Sequence, residues 1–383
     1  MLKRFAAFTL ILGLLASTLW WLTRPEATPA PPVVGATPDI TGFARAFAPR
    51  EFAFPRDHGP HFDYQTEWWY YTGNLTSANG DHFGYQLTFF RRGLTPGSPG
   101  QRLSDFGTNQ IYFAHFAVTD VTRNQHVFAE RFSRGAAGLA GAGSEPFRVW
   151  LEDWQVEALD ADGSAVRLIA RNDDRALDLT LRAAKPMVAH GERGLSAKSE
   201  TPGNASYYLS YTRMATSGQV TTDGQTVAVN GESWFDHEWS TSALGEGIVG
   251  WNWFALQLSD GREVMFYQFR QADGSPGPLS AGTLVELDGR IRRLAASEAQ
   301  IEAQAQWRSP ETGGVYPARW RVVIPSAQIE LTVTPWIAAQ EMRVSFPYWE
   351  GAMRLDGVSN GAAVSGNGYI ELTGYVSSMQ GVF

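Results

Sequence analysis

Apolar and polar residues alternate along most of this sequence, and that period of two constrains the fold more than any other feature. In Ala176–Arg182 the side chains of Leu177, Leu179 and Leu181 fall on one side of an extended chain and those of Asp178, Thr180 and Arg182 on the other. Ile329, Leu331 and Val333 alternate in the same way with Gln328, Glu330 and Thr332, and Phe83, Tyr85, Leu87 and Phe89 share a face. A helix would need a period near 3.6, so these segments read as half-buried antiparallel strands. Asn79-Gly80, Asp162-Gly163, Asp223-Gly224, Asp260-Gly261, Asp273-Gly274 and Asp288-Gly289 punctuate them with the residues that tight hairpin turns demand. The chain is predicted to be all-β. Only Leu294–Trp307 has a helix-friendly composition, and without an apolar stripe it stays open between helix and strand.

A repeat sets the number of units. EWWYYTGNL, the turn at Asn79-Gly80 and YQLTFFRR are echoed by GWNWFALQL, the turn at Asp260-Gly261 and VMFYQFR. The echo aligns Trp69 with Trp253, Tyr70 with Phe254 and Arg91 with Arg270, and an acidic–His pair precedes each copy, Asp57-His58 and Asp236-His237. Two copies of one β-unit, each opening on a Trp-rich hairpin, predict two domains. A length of 383 residues, too great for one ordinary core, agrees. The expected division is residues 1–24 as signal peptide or signal anchor, 25–48 as a Pro-rich linker, 49–220 as the N-terminal domain and 221–383 as the C-terminal domain, with the boundary where Thr, Ser and Gly cluster near Gly218–Gly224.

Lys3 and Arg4 precede an apolar-to-small run from Phe5 to Leu22, and prolines follow. A run of about 18 residues is short for a transmembrane helix and long for a signal-peptide core, so a cleaved signal and an uncleaved anchor both stay open. Either carries the body to the periplasm or beyond, tethered to the inner membrane by residues 5–22 if they are retained. The absence of cysteine excludes disulfides, thiolate nucleophiles, a lipid-modified cysteine anchor and Cys-ligated zinc. A formal net charge of −8, with no basic run beyond residue 24, argues against nucleic acid as a partner.

The residues that carry chemistry gather in three segments. In GESWFDHEWS, Gly231–Ser240, strand alternation puts Asp236 and Glu238 on one face and Phe235, His237 and Trp239 on the other. Asp236 and His237 are the candidate acid/base pair, since a histidine among aromatics with an acid beside it can be moved into the range useful for proton transfer. The same residues would serve equally as a buried hydrogen-bonded staple or as part of a metal site, and those readings remain open. In DHGPHFD, Asp57–Asp63, two histidines stand between carboxylates, a superficially zinc-like set, but Gly59-Pro60 makes a turn and no third histidine is suitably spaced, so no metal is expected and the segment reads as running across the mouth of the adjacent barrel or into the domain interface. EWWYYTGNL places Glu67, Trp69 and Tyr71 on one face. A carboxylate among so many rings must meet a cation, with Arg91, Arg92, Arg213 and Arg343 as candidates, or be protonated. G-x-S-x-G, S-x-x-K, H-E-x-x-H and phosphate-cradling glycine loops are all absent, which argues against a nucleophilic hydrolase, and no cofactor is expected.

FPRDHGPHFDYQTEWWYYTGNL, GESWFDHEWS, WRSPETGGVYPARW and YWEGAMRLDG…GNGYIELTGY together resemble the AttH-like, carotenoid 1,2-hydratase-like family, over about Arg50 to Val376. The resemblance implies two tandem lipocalin-like (calycin-type) antiparallel β-barrels with a hydrophobic-ligand site in one barrel or between the two. Family members include hydratases that add water to a terminal alkene of a carotenoid, and bacterial members similar to this chain carry a signal segment and accompany ABC-type exporters. For this chain the resemblance implies an exported protein that binds a lipid or polyene beside such an exporter, with a lyase-class hydratase or cyclase as the alternative. By position, Asp236, His237 and Trp239 match the family's D-H-x-W segment, and Tyr267 lies on the strand that completes a hydratase pocket. Trp253, Glu67 and Trp69 complete the expected ligand-binding set. Tyr267-Gln268-Phe269 departs from the hydratase branch, which places a carboxylate beside that tyrosine. Glutamine donates no proton to an alkene, so the sequence favours a binder, with a cavity above roughly 300 Å³.

Overall fold

The computed structural model describes residues 40–98, 100, 104–242 and 244–382. The expected signal segment, residues 1–24, and the linker up to residue 39 lie outside them. Among the described residues every regular element is a strand or a three-residue 3-10 turn, and no helix is long and apolar enough to cross a membrane. The alternation is realised directly: Leu177, Leu179 and Leu181 of the Arg175–Ala183 strand are all buried in one core. The undecided segment is strand as well, Ile291–Ala295 and Gln300–Arg308 joined by the turn Ala296–Glu298. Gln300–Arg308 is a mostly exposed edge strand, which is why it carries no apolar stripe of either period.

Eight strands carry the candidate site: β1 (Thr66–Ser77), β2 (His82–Gly93), β3 (Ala205–Thr222), β4 (Gln225–Ser240), β5 (Ile248–Leu258), β6 (Glu263–Gln271), β7 (Pro347–Ser359) and β8 (Ala362–Leu372). They belong to two antiparallel sheets, of 13 and 10 strands among the described residues, each curled into a barrel or half-barrel. In the first sheet β1 lies between β2 and β4, and β4 pairs with β3. In the second, β5 lies between β6 and β8, and β8 pairs with β7. The chain walks one path twice, each sheet pairing its first strand with its last. Both sheets belong to one compact unit, Asp39–Gly381.

Two expectations from the repeat need correction. The first sheet runs on to Ser240 and the second begins at Ile248, so a division at residue 220 cuts through the β3–β4 hairpin. The Thr, Ser and Gly residues there form the tip of two long paired strands, because the residues that favour a linker also favour a hairpin turn. The second correction is a slip of one residue. Trp69 lies in the N-terminal core, whereas Trp253 lies in the cluster between the sheets. Since strand side chains alternate, residues on opposite faces are not equivalent. Matching Trp68 with Trp251 and Tyr70 with Trp253 restores the faces, and it places Arg91 opposite Glu67 in register as Arg270 is opposite Gly250. The acidic–His pairs are not equivalent either, because Asp57-His58 sits in a 3-10 turn before β1 and Asp236-His237 on the last strand of the same sheet.

Each sheet packs its own core, and the two meet on the faces turned away from those cores. Tyr70, Tyr208 and Trp234 of the first sheet join Trp253, Met265, Tyr267 and Phe269 of the second in a shared apolar cluster. Gly84 on β2 permits the close approach, since a Cβ there would lie 2.5 Å from that of Ala352 on β7. Polar clamps ring the contact. Gln257 donates to the carbonyls of Thr212 (2.8 Å) and Ser233 (3.0 Å), Asn74 donates to that of Gly368 (3.0 Å), and Glu263 holds both Lys185 (2.8 Å) and Arg213 (2.5 Å).

Candidate functional site

The alternation of β4 sends consecutive residues of GESWFDHEWS into two different environments. Trp234, Asp236 and Glu238 face the second sheet, while Phe235, His237 and Trp239 face back over the first. Asp236 and His237 are therefore adjacent in sequence but separated by the sheet itself.

On the inter-sheet face lies a cavity of about 140 Å³, walled by Trp68, Tyr70, Trp251, Trp253, Tyr267 and Phe269 and holding the carboxyls of Asp236, Glu350 and Glu371. That is smaller than the ~300 Å³ expected of a full ligand pocket and comparable with a site for one aromatic ring, so it suits one end of a longer molecule. Asp236 accepts hydrogen bonds from Tyr208 Oη (2.6 Å), Trp234 Nε1 (2.6 Å) and Ser210 Oγ. Burial pushes its carboxyl up to about 7 against the pull of those donors. Tyr208 in turn accepts from Trp253 Nε1 at 2.9 Å. Behind Ser210, His190 bridges Ser210 Oγ and Thr283 Oγ1, both at 2.8 Å, and burial pushes it down to about 3. Because Ser210 gives its proton to Asp236, the neutral His190 donates from Nε2 and accepts from Thr283 at Nδ1. Glu371, which accepts from Trp251 Nε1 at 2.8 Å, is also raised to about 7 by burial, and the charges of Asp236 and Glu238 add to the rise. Glu350 stands opposite Glu371 in register, and burial together with that neighbour pushes it well above the usual carboxylate range.

The other face carries a hydrogen-bonded cluster centred on Glu67, in which His237 Nδ1 and Trp239 Nε1 make no hydrogen bond. Glu67 takes Arg91 Nε at 2.9 Å, His237 Nε2 at 2.9 Å and His61 Nδ1 at 2.8 Å. Burial alone would raise its carboxyl, but Arg91 and His61 hold it well below its ordinary range. Burial lowers His237. Trp69 stacks on His237 and donates from Nε1 to the carbonyl of His58 at 2.8 Å, and Trp239 stacks on His61 at 3.7 Å. Ligand-type atoms of His61, Glu67 and His237 lie within 4.8 Å of one another, close enough to suggest a metal. Those same atoms are already bonded to one another and Glu67 is neutralised by Arg91, which makes the group a polar staple. DHGPHFD crosses the barrel end here, with Arg91 donating to the carbonyls of His61 (2.9 Å) and Tyr64 (2.8 Å).

Of the residues expected from sequence, Asp236, Trp253 and Tyr267 meet at the cavity, while Glu67, Trp69, His237 and Trp239 meet at the staple. Gln268 does not line the cavity although both its neighbours do, and Asn252 donates to it at 3.4 Å. A carboxylate at that position would point away from the site. Sequence reasoning missed Tyr208, Ser210, His190, Glu350 and Glu371. The last two carried a signal, each being a lone glutamate inside an apolar run, YWEGAM and GYIELTGY.

The AttH-like family profile matches residues 45–375. A crystal structure assigned as AttH from Nitrosomonas europaea is 32% identical, with a TM-score of 0.76 over 86% of this chain and 100% of that one. Kievitone hydratase from Nectria haematococca superposes with a TM-score of 0.65 at 16% identity, over 89% of this chain and 98% of that one, a likeness of fold. No curated protein matches the chain in sequence.

Proposed function

Because the chain belongs to the AttH-like family, we propose that it binds the end of a hydrophobic molecule in the inter-sheet cavity and adds water to an alkene there, with Asp236 as the acid. One observation carries this reading: Asp236, fixed by three donors and buried among aromatic rings, holds its proton up to about pH 7. An alkene needs a strong acid brought against it in a dry site, and a carboxylic acid kept neutral by burial can be such a donor. The step balances simply. The Asp236 proton forms a new C–H bond at the less substituted carbon as the π bond breaks. Water then attacks the resulting cation through oxygen, and the proton it sheds returns to a carboxylate. Trp253 and Tyr70 line the cavity, and aromatic rings there would stabilise the cationic intermediate.

Binding without turnover is the second reading, favoured by a cavity that takes only part of a long ligand. The N-terminal apolar run adds the proposal that the protein works on the exported side of a membrane, beside an ABC-type exporter, on a lipid or polyene. The test is incubation with an acyclic isoprenoid bearing a terminal prenyl group in isotopically labelled water. Labelled tertiary alcohol, formed by the wild type and not by Asp236→Asn, is expected. Saturable quenching of tryptophan fluorescence without any alcohol would leave the binder.

A further inference from the structure

Glu350 is the least satisfied carboxyl group in the cavity. It is 1% exposed, and neither carboxyl oxygen makes a hydrogen bond of ordinary geometry, although the hydroxyls of Tyr70 and Tyr348 approach it. The Tyr348 hydroxyl is engaged by His115 Nδ1 at 2.8 Å, and that of Tyr70 is itself unpartnered. Directly across the strand pair stands Glu371, a like-charge arrangement that destabilises a sheet unless something neutralises it. No compensating cation is at hand. Among the described residues Lys198 is the only lysine or arginine lining the cavity, and it is paired with Glu238 at 2.7 Å. A buried polar side chain left without hydrogen-bond partners destabilises the fold unless a ligand supplies them. Its missing partner donates hydrogen bonds and presents apolar surface to the surrounding rings, and a cation would in addition offset the charge that Glu350, Glu371 and Asp236 take on when they give up their protons.

We propose that the cavity is a receptor for a primary alkylammonium ion, whose charged head sits between Glu350, Glu371 and Asp236 and whose carbons pack on the indole and phenol rings around them. An ammonium offers three donors, which Glu350 lacks, and aromatic side chains such as Trp253 around the cavity attract a cation electrostatically. A carboxylate ligand would add a fifth acid to Asp236, Glu238, Glu350 and Glu371, and a plain hydrocarbon would leave Glu350 unmet. The inference uses the same cavity as the hydration reading without depending on it.

Affinity rises with pH, and the groups facing Glu350 fix the sign. The phenols of Tyr70, Tyr208, Tyr348 and Tyr369 are pushed far above neutrality and His115 is pushed down, in every case chiefly by burial. All of them stay neutral near pH 7, and Lys198 remains paired with Glu238. Asp236 and Glu371, both raised to about 7, are the groups that change charge there. The cavity therefore becomes more negative, and holds a cation more tightly, as pH climbs through neutrality.

The experiment is calorimetric titration of the full chain with hexylamine, hexanol and hexanoate at about pH 6 and about pH 8, in buffers of differing ionisation enthalpy. Hexylamine is expected to bind at least about tenfold more tightly than hexanol at the higher pH, with proton release, and more weakly at the lower pH. Hexanoate is expected not to bind. Glu350→Gln should bring hexylamine down to the level of hexanol with an unchanged or raised melting temperature, and Glu371→Gln provides a second variant if the first fails to fold. A soluble short-chain phosphatidylethanolamine, run in parallel, distinguishes an ammonium carried on a lipid headgroup from a free amine. Equal affinity for amine and alcohol, or an amine preference that survives both substitutions, overturns the proposal. Alkene hydration without amine preference removes this inference alone, and amine binding without turnover removes only the hydration reading.

Discussion

Two polar clusters flank β4, and they solve the problem of buried charge in opposite ways. The staple around Glu67 supplies its carboxylate with Arg91, His61 and His237 at 2.8–2.9 Å, so charge is balanced and every Glu67 oxygen is met. The cavity cluster brings Asp236, Glu350 and Glu371 together with only hydroxyl and indole donors, so the charge is avoided by holding protons instead. The first arrangement adds to stability. The second stores reactive protons at a cost to stability, as catalytic and binding sites commonly do. One strand serves both because its side chains alternate.

The largest effect that would test this contrast is on turnover. Asp236→Asn removes the proton donor while its amide still accepts from Ser210 and Trp234, so hydration should fall by roughly 10²- to 10⁴-fold. The same change should stabilise the fold at about pH 8 by up to roughly 2 to 4 kcal/mol in denaturant titration. Loss of both activity and stability would place Asp236 with the staple.

Glu67→Gln should do the reverse. It leaves Arg91 buried without its counter-charge and should cost about 3 to 5 kcal/mol, with turnover per folded molecule within about twofold of wild type. His237→Gln belongs with it at about 1 to 3 kcal/mol. A large drop in turnover at unchanged melting temperature for His237→Gln would return this residue to the acid/base role expected from sequence.

The pH dependence of stability should have two limbs with different owners. Asp236 has a folded pKa raised to about 7 from 3.8, so its contribution is fully present below the unfolded value and is lost as pH rises towards 7. Asp236→Asn should flatten that limb. Glu67 is depressed below 4.5, so its contribution is present above that value and is lost as pH falls through the acid range. Glu67→Gln should flatten the acid limb alone, and melting curves of both variants across pH measure the two.

The smallest expected effect concerns Tyr208. Its hydroxyl helps to lower Asp236, so Tyr208→Phe should move the alkaline limb of the turnover profile upward by less than about one pH unit. A downward shift would mean that Tyr208 stabilises the protonated carboxyl.

The sequence by itself determined the strands, their buried faces and the duplication. These arise from alternation and turn residues, local properties that survive in any all-β context, and they also assigned Asp236 and His237 to opposite faces of one strand. The pairing of Glu67 with a cation was legible too, since a carboxylate among rings has few alternatives. The alignment slipped by one residue because the Trp-rich strands look alike in either register, and only the direction of each side chain separates core from interface. What the tertiary structure alone decided is which faces meet. Asp236 comes from one sheet and Glu350 and Glu371 from the other, more than a hundred residues further along the chain. Their raised proton affinity is a property of shared burial, which no single segment possesses until the two sheets close over it.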